Sequence, residues 1–223
     1  MSLAENAAKK PRTAKPGSLK EKAYQILRRM ILTGEFRGGT QVVEADLVTR
    51  LQIGRTPIRE SVLRLEQEGL VRIVPHKGIF INEMSLKEIQ DLIQLRFCLE
   101  LFAIREAISY ITDNDIEGMS QIVDLQEQAM QECDMYEYME LDQRFHQKIF
   151  EIIGNDRMLR IMGNLSDQLV ACGIRGLRRQ ERLVQVIIEH KEVVRALSKR
   201  DANAAFEAVK LHLERVRCSL ADL

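Results

Sequence analysis

The residues of this 223-residue chain best suited to chemistry are its four histidines, one aspartate and a pair of arginines. His76 lies between two short apolar runs, whereas His146, His190 and His212 fall in helical sequence of the second half. Asp142 and His146 are four residues apart, which sets them on one face of a helix. Three imidazoles and a carboxylate gathered in a bundle core would suit Zn²⁺, Ni²⁺, Mn²⁺ or Fe²⁺. Spacing leaves two readings open. A helical histidine is as readily a packed core residue as a ligand, and nothing in the spacing brings His190 and His212 to His146.

A second chemistry resides in Gly54-Arg55-Thr56-Pro57-Ile58-Arg59-Glu60. Thr56 followed by Pro57 predicts a helix start, with the threonine as N-cap and the proline as first helical residue. Arg55 then precedes the helix and Arg59 lies in its first turn, where the macrodipole disfavours cations. A phosphate or a guanine edge opposite them would account for both, since a guanidinium binds either in bidentate fashion. Thr56 and the free N–H groups of the helix start would grip phosphate as well. The plain alternative is a surface helix with solvated arginines.

The elements that must position these residues follow from periodicity. From Leu19 a helical stripe runs through Ala23, Ile26, Leu27, Met30 and Ile31 until Gly34 and Gly38-Gly39 break it. A shorter helix spans about Glu44 to Leu51, and the third runs to about Glu68 before Gly69. Leu70–Val74 and Ile79–Ile81 read as strands around the turn Pro75-His76-Lys77-Gly78, which would carry His76 and Lys77 to an adjoining groove. Three helices and a hairpin in about 65 residues are the layout of a winged helix-turn-helix. Beyond Ser85 six helices are expected, near 86–110, 114–132, 135–153, 156–175, 180–198 and 202–219. Their short connections predict an antiparallel bundle. The fold class is therefore mainly α. The expected division is a disordered basic leader over 1–17, a DNA-binding domain over 18–82 and an all-helical domain over 83–223.

Charge supports that division. Residues 1–83 carry 15 Lys and Arg against 9 Asp and Glu, while residues 84–223 carry 18 against 24. A basic segment joined to an acidic one points to a polyanion partner for the first only. No apolar run approaches the ~20 residues of a membrane span. The four cysteines are scattered, with no CxxC pair, which argues against a disulfide framework and for a reducing cytoplasm.

Gly39, Glu44, Leu47, Leu51, Ile53, Arg55 through Glu60, Leu63, Leu65, Glu68-Gly69-Leu70 and Gly78 together resemble the winged-helix signature of the GntR family. The resemblance spans roughly residues 20–81. It implies operator contacts by Arg55, Thr56 and Arg59, and a wing turn at Gly78. Gly54 replaces a usual Ser or Thr, which removes one hydroxyl contact to phosphate, and Ala45 replaces a frequent basic residue. Residues 85–220 resemble the FCD ligand-binding domain of the FadR/VanR branch through Arg96 with Leu99-Glu100, Asp142 with His146, Gly154-Asn155, Glu189-His190, and Asp201 with Ala205 and His212. Six helices rather than seven point to the VanR-like subgroup.

The resemblance implies Asp142, His146, His190 and His212 as ligands of a divalent metal, zinc foremost, with Arg96 holding a small organic acid beside it. Arg96 is equally placed to pair with Glu100, four residues on. The function expected is that of a homodimeric regulator, a repressor of operator DNA, relieved or tuned by the acid. Two rivals remain at this point: a regulator that senses the metal itself, and a helical-bundle metalloenzyme. Bundle di-iron enzymes need paired Glu-x-x-His motifs, and here Gln143 stands three residues before His146.

Overall fold

A computed structural model describes residues 17–176 and 179–221. All but Gly17 of the expected basic leader lies outside the described residues.

The first helix, α1 (Leu19–Leu32), starts where Ser18 accepts a hydrogen bond from the Glu21 N–H at 3.1 Å. It buries Ala23, Tyr24, Leu27, Met30 and Ile31. Next come β1 (Gln41–Val42), α2 (Glu44–Leu51) and α3 (Arg55–Gln67). Ile58, Val62 and Leu65 turn the inner face of α3 onto the core, and the Ser61 hydroxyl donates to the Lys20 carbonyl at 3.0 Å. Two strands, β2 (Val71–Val74) and β3 (Gly78–Ile81), complete the unit.

Two local features differ from expectation. Helix α3 begins two residues earlier, at Arg55, so Arg55 lies inside the helix and Gly54 is the N-cap, which offers no side-chain cap. Pro57 is tolerated in the third helical position because the first N–H groups of a helix lack intrahelical acceptors in any case. The wing is also three-stranded: β1 pairs with β3, giving the order β1-β3-β2. Two residues are too few to show a period, so sequence gave no sign of β1.

The second half forms six helices among the described residues: α4 (Leu86–Ala107), α5 (Asp113–Gln131), α6 (Met135–Ile152), α7 (Asp156–Gly176), α8 (Gln180–Ser198) and α9 (Ala202–Ala221). Capping boxes open α4 at Ser85/Glu88 and α5 at Thr112/Asp115, which is why both helices start so sharply. Helices adjacent in sequence from α5 to α7, and α8 with α9, pack side by side, and α4 closes the bundle against α6 and α9. Tyr138, Phe145, Ile149 and Phe150 bury the inner face of α6 completely. No helix among the described residues is long and apolar enough to cross a membrane.

Gly78 has φ +107°, and a Cβ there would lie 3.3 Å from the Val42 carbonyl oxygen on β1. Gly78→Ala is therefore expected to weaken the wing by about 1–3 kcal/mol. Hydrogen exchange at the β2 and β3 amides measures it, and unchanged protection would show that the sheet accommodates the side chain.

Candidate metal centre and nucleic-acid interface

The helical bundle brings Asp142 and His146 of α6 together with His190 of α8 and His212 of α9. One ligand atom from each lies within 4.8 Å of all the others, and all four residues are buried. The three imidazole rings cluster at centroid separations of 4.8–5.1 Å, and Phe145 stacks on His190 at 4.1 Å.

The orientation of each ring is set from behind. His190 Nδ1 is 2.9 Å from Gln126 Oε1, and His212 Nδ1 is 2.7 Å from Glu189 Oε2. Both partners are acceptors only. The Gln126 amide is held the right way round because its Nε2 faces the Tyr138 carbonyl and Asp142 Oδ1, neither of which donates. Nδ1 must therefore carry the proton in each ring, and Nε2 presents a lone pair. His146 Nδ1 stands 2.7 Å from Glu100 Oε2, at ion-pair distance though off the line of a hydrogen bond. The Nε2 atoms of all three histidines are buried without a hydrogen-bond partner. They lie with Asp142, whose oxygens are 3.7 Å from His190 Nε2 and 4.0 Å from His146 Nε2.

Those separations are too long for hydrogen bonds. They match two donors spanning one ion, since bonds of about 2.1 Å leave ligand atoms roughly 3–4 Å apart. Electrostatics favours the same reading. Burial, then His212, His146, Arg96 and Arg182, push the His190 imidazole well below its ordinary range. Burial likewise lowers His212, although the Glu189 hydrogen bond pulls the other way. Neutral rings are the ligand form. The donor set fits a divalent cation.

Residues to which sequence reasoning gave no part in holding the rings complete the centre. Burial alone would raise the Glu100 carboxyl, but Arg96 and His146 hold it down to about 2. For Glu189 burial is likewise outweighed, by His212 and Arg182, and its carboxyl also sits at about 2. Arg182 grips Glu189 in bidentate fashion at 2.8 and 3.0 Å, and Arg215 adds a contact at 3.0 Å. Only an acid or amide three or four residues from a candidate ligand would have signalled such roles, and Gln126 lies on another helix. Arg96 takes the pairing with Glu100 anticipated for it. Its Nε donates to Glu100 at 2.6 Å, while Nη2 lacks a hydrogen-bond partner and lies 3.9 Å from Asp142 Oδ2.

At the other end, Arg55 and Thr56 are exposed on the first turn of α3 and Arg59 at the start of its second. Neither arginine has an ion-pair or hydrogen-bond partner among the described residues. The α3 start lacks a side-chain cap, so its N–H groups face outward unanswered. His76 and Lys77 are exposed at the wing turn, where His76 adopts φ +62° and Gly78 follows.

Family models match both halves: "Bacterial regulatory proteins, gntR family" over residues 19–81 and the FCD domain over 91–215. The chain belongs to the gntR family, in its FCD-containing branch. Among its relatives, the HTH-type transcriptional repressor RspR of Escherichia coli K12 is 26% identical over 203 residues, covering 91% of this chain and 89% of that protein. The regulator YdhC of Bacillus subtilis is 24% identical and covers 85% of each chain. A GntR structure from Rhodococcus sp. RHA1 superposes with a TM-score of 0.76 at 20% identity, over 90% of this chain and 96% of that one. This gntR-family chain is accordingly a DNA-binding transcription regulator and not an enzyme, which removes the metalloenzyme rival.

Gln126 supports two of the clustered side chains at once. Gln126→Leu in this regulator is expected to cost about 1–3 kcal/mol, because the His190 Nδ1 donor loses its buried acceptor. Urea unfolding in chelator reads the effect, and a loss below about 0.5 kcal/mol would show that repacking replaces the amide.

Proposed function

We propose that this regulator is a metal-containing repressor that works in the cytoplasm as a homodimer, reading a pseudo-palindromic operator and answering to a small organic acid. The observation that carries the reading is the set of three buried, partnerless Nε2 lone pairs converging with Asp142. Asp142, His146, His190 and His212 hold the ion, and zinc best suits three imidazoles with one carboxylate. The bound ion supplies a Lewis-acid position for a carboxylate, and the free Nη2 of Arg96 supports a second contact to the same anion. A regulator that senses the ion alone is the narrower alternative. The six-helix bundle supports the VanR-like subgroup.

On DNA, Arg55 and Arg59 read or grip the major groove, Thr56 and the open α3 N-terminus take a phosphate, and His76, Lys77 and Gly78 bring the wing to the neighbouring groove. A leader over residues 1–17, a DNA unit over 18–82 and a sensor over 83–223 is the division that this reading uses.

Elemental analysis and native mass spectrometry of the purified chain are expected to find one zinc per protomer. Glu189→Gln should weaken zinc binding by about 10–100-fold, since it loosens the ring orientation of His212 without removing a ligand. A metal-free protein that refuses added zinc would end the reading.

Selection of bound fragments from sheared genomic DNA is expected to enrich a two-fold-symmetric sequence, and no enrichment would refute the operator. Arg59→Ala should then cost about 1–3 kcal/mol on the selected site and relax its base preference. An equal loss on unrelated DNA would reassign Arg59 to phosphate.

A further inference from the structure

Arg28 sits on α1, within the DNA-reading unit, yet its guanidinium is buried among residues of the helical bundle. It is 7% exposed. Its Nε donates to Asp167 Oδ1 on α7 at 2.8 Å, and its Nη2 donates to Glu140 Oε1 on α6 at 2.7 Å and to Asp167. Nη1 donates to the Tyr136 hydroxyl, also on α6. Every nitrogen of the guanidinium is thus engaged across the junction. The next residue, Arg29, lies 4.8 Å from the Tyr136 ring centroid and pairs with Asp134 at 3.4 Å. The second half of α1 is fastened to the start of α6.

Each side of this junction continues to a site described above. Glu140 precedes Asp142 by two residues and His146 by six, on one continuous helix. Gln143 donates to Asp142 Oδ2 at 3.0 Å, and it also lines the cleft of about 1000 Å³ that runs along the junction beside Arg28, Tyr136, Glu140 and Asp167. On the other side α1 is tied to α3 by Ser61 to the Lys20 carbonyl at 3.0 Å, by Arg64 to Glu21 at 3.1 Å and by Tyr24 to Glu68 at 2.9 Å. Helices α1 and α3 therefore move together, and α3 carries Arg55 and Arg59.

We infer that the Arg28 cluster is a latch that couples the imidazole centre on α6 to the recognition helix. A buried guanidinium shared by two carboxylates is either whole or broken, because a half-withdrawn charge keeps its desolvation cost and loses its partner. Such a contact has the two discrete arrangements that switching needs. Loading of the centre that repositions Asp142 and His146 shifts α6, and with it Glu140 and Tyr136. Arg28 then follows or releases, and the recognition helices change spacing. The latch rests on the reading of Asp142 and the three histidines as a metal centre.

The test compares wild type, Arg28→Gln and Glu140→Gln, with Zn²⁺ as the probe. Glu140→Gln leaves Arg28 paired with Asp167 and removes only the α6 arm, so it reports even if Arg28→Gln fails to fold. Zinc affinity is measured by competition with a chromophoric chelator, and DNA affinity by electrophoretic shift on the fragments that wild type enriches. In wild type, zinc should change DNA affinity by about 5- to 150-fold, the usual range of coupling between sites. Both variants should bind zinc within about two-fold of wild type while that ratio falls toward one. A ratio retained in a folded, zinc-binding Glu140→Gln overturns the latch. So does a wild type that binds zinc but shows no change on DNA, although the metal reading then survives. Failure of wild type to take up zinc ends both. If no fragment is enriched, X-ray scattering with and without zinc supplies the readout: a profile change in wild type that Glu140→Gln abolishes supports the latch, and an identical change in both overturns it.

Discussion

Two buried imidazoles donate their Nδ1 protons to acceptors behind them, a third stands against a carboxylate, and the rest of the centre follows from that constraint. Gln126 and Glu189 hydrogen-bond the Nδ1 atoms of His190 and His212, and Glu100 stands against that of His146. His190 and His212 are each left with one lone pair turned inward, and His146 Nε2 is buried beside them without a hydrogen-bond partner. Lone pairs beside the Asp142 carboxylate repel one another, and unpaired buried polar atoms cost stability that a packed core of leucines would not lose. A fold retains such an arrangement where something positive completes it. The same backing groups suppress the competing proton, because burial and neighbouring cations already disfavour imidazolium at His190 and His212.

Charge bookkeeping around the centre leads in the same direction. Asp142, Glu100 and Glu189 bring three carboxylates, and Arg96, Arg182 and Arg215 answer them with three guanidinium groups. The protein's own groups balance with neutral rings. A divalent ion adds positive charge to a region with little solvent to spread it, so an anion is the natural companion ligand. Arg96 is suited to assist because only part of its guanidinium is committed to Glu100. The balance supports the proposed pairing of an acid effector with the metal.

Much of this was legible in the sequence. The 3.6-residue stripes located the bundle helices to within a few residues, and left-handed conformations at Cys133, Gly154 and Arg200 end α5, α6 and α8. The i,i+4 relation of Asp142 and His146 by itself puts them on one face of a helix. That His190 and His212 reach the same point was not readable from spacing, because convergence depends on how α6, α8 and α9 pack. Gln126 and Arg182 were invisible for the same reason: their partners are distant in sequence or a full two turns away. Strand β1 lacked the length for a pattern. The α3 start was misplaced by two residues because Thr56-Pro57 is a strong capping signal locally, and Gly54 ends up capping the helix without a side chain.

Helix α6 ties these observations together. It has half of its residues buried, supplies two of the four converging donors, and presents Tyr136 and Glu140 to the DNA-reading unit. A helix with polar work on opposite sides of its core stripe cannot adjust one contact set without disturbing the other, because its backbone hydrogen bonds hold the register fixed. Tight packing of Phe145, Ile149 and Phe150 removes the slack that would otherwise absorb a small displacement. Signal transfer then needs no long chain of specific contacts through the core. Rigidity of one element, placed between the imidazole centre and the only guanidinium of α1 buried in the bundle among the described residues, is sufficient.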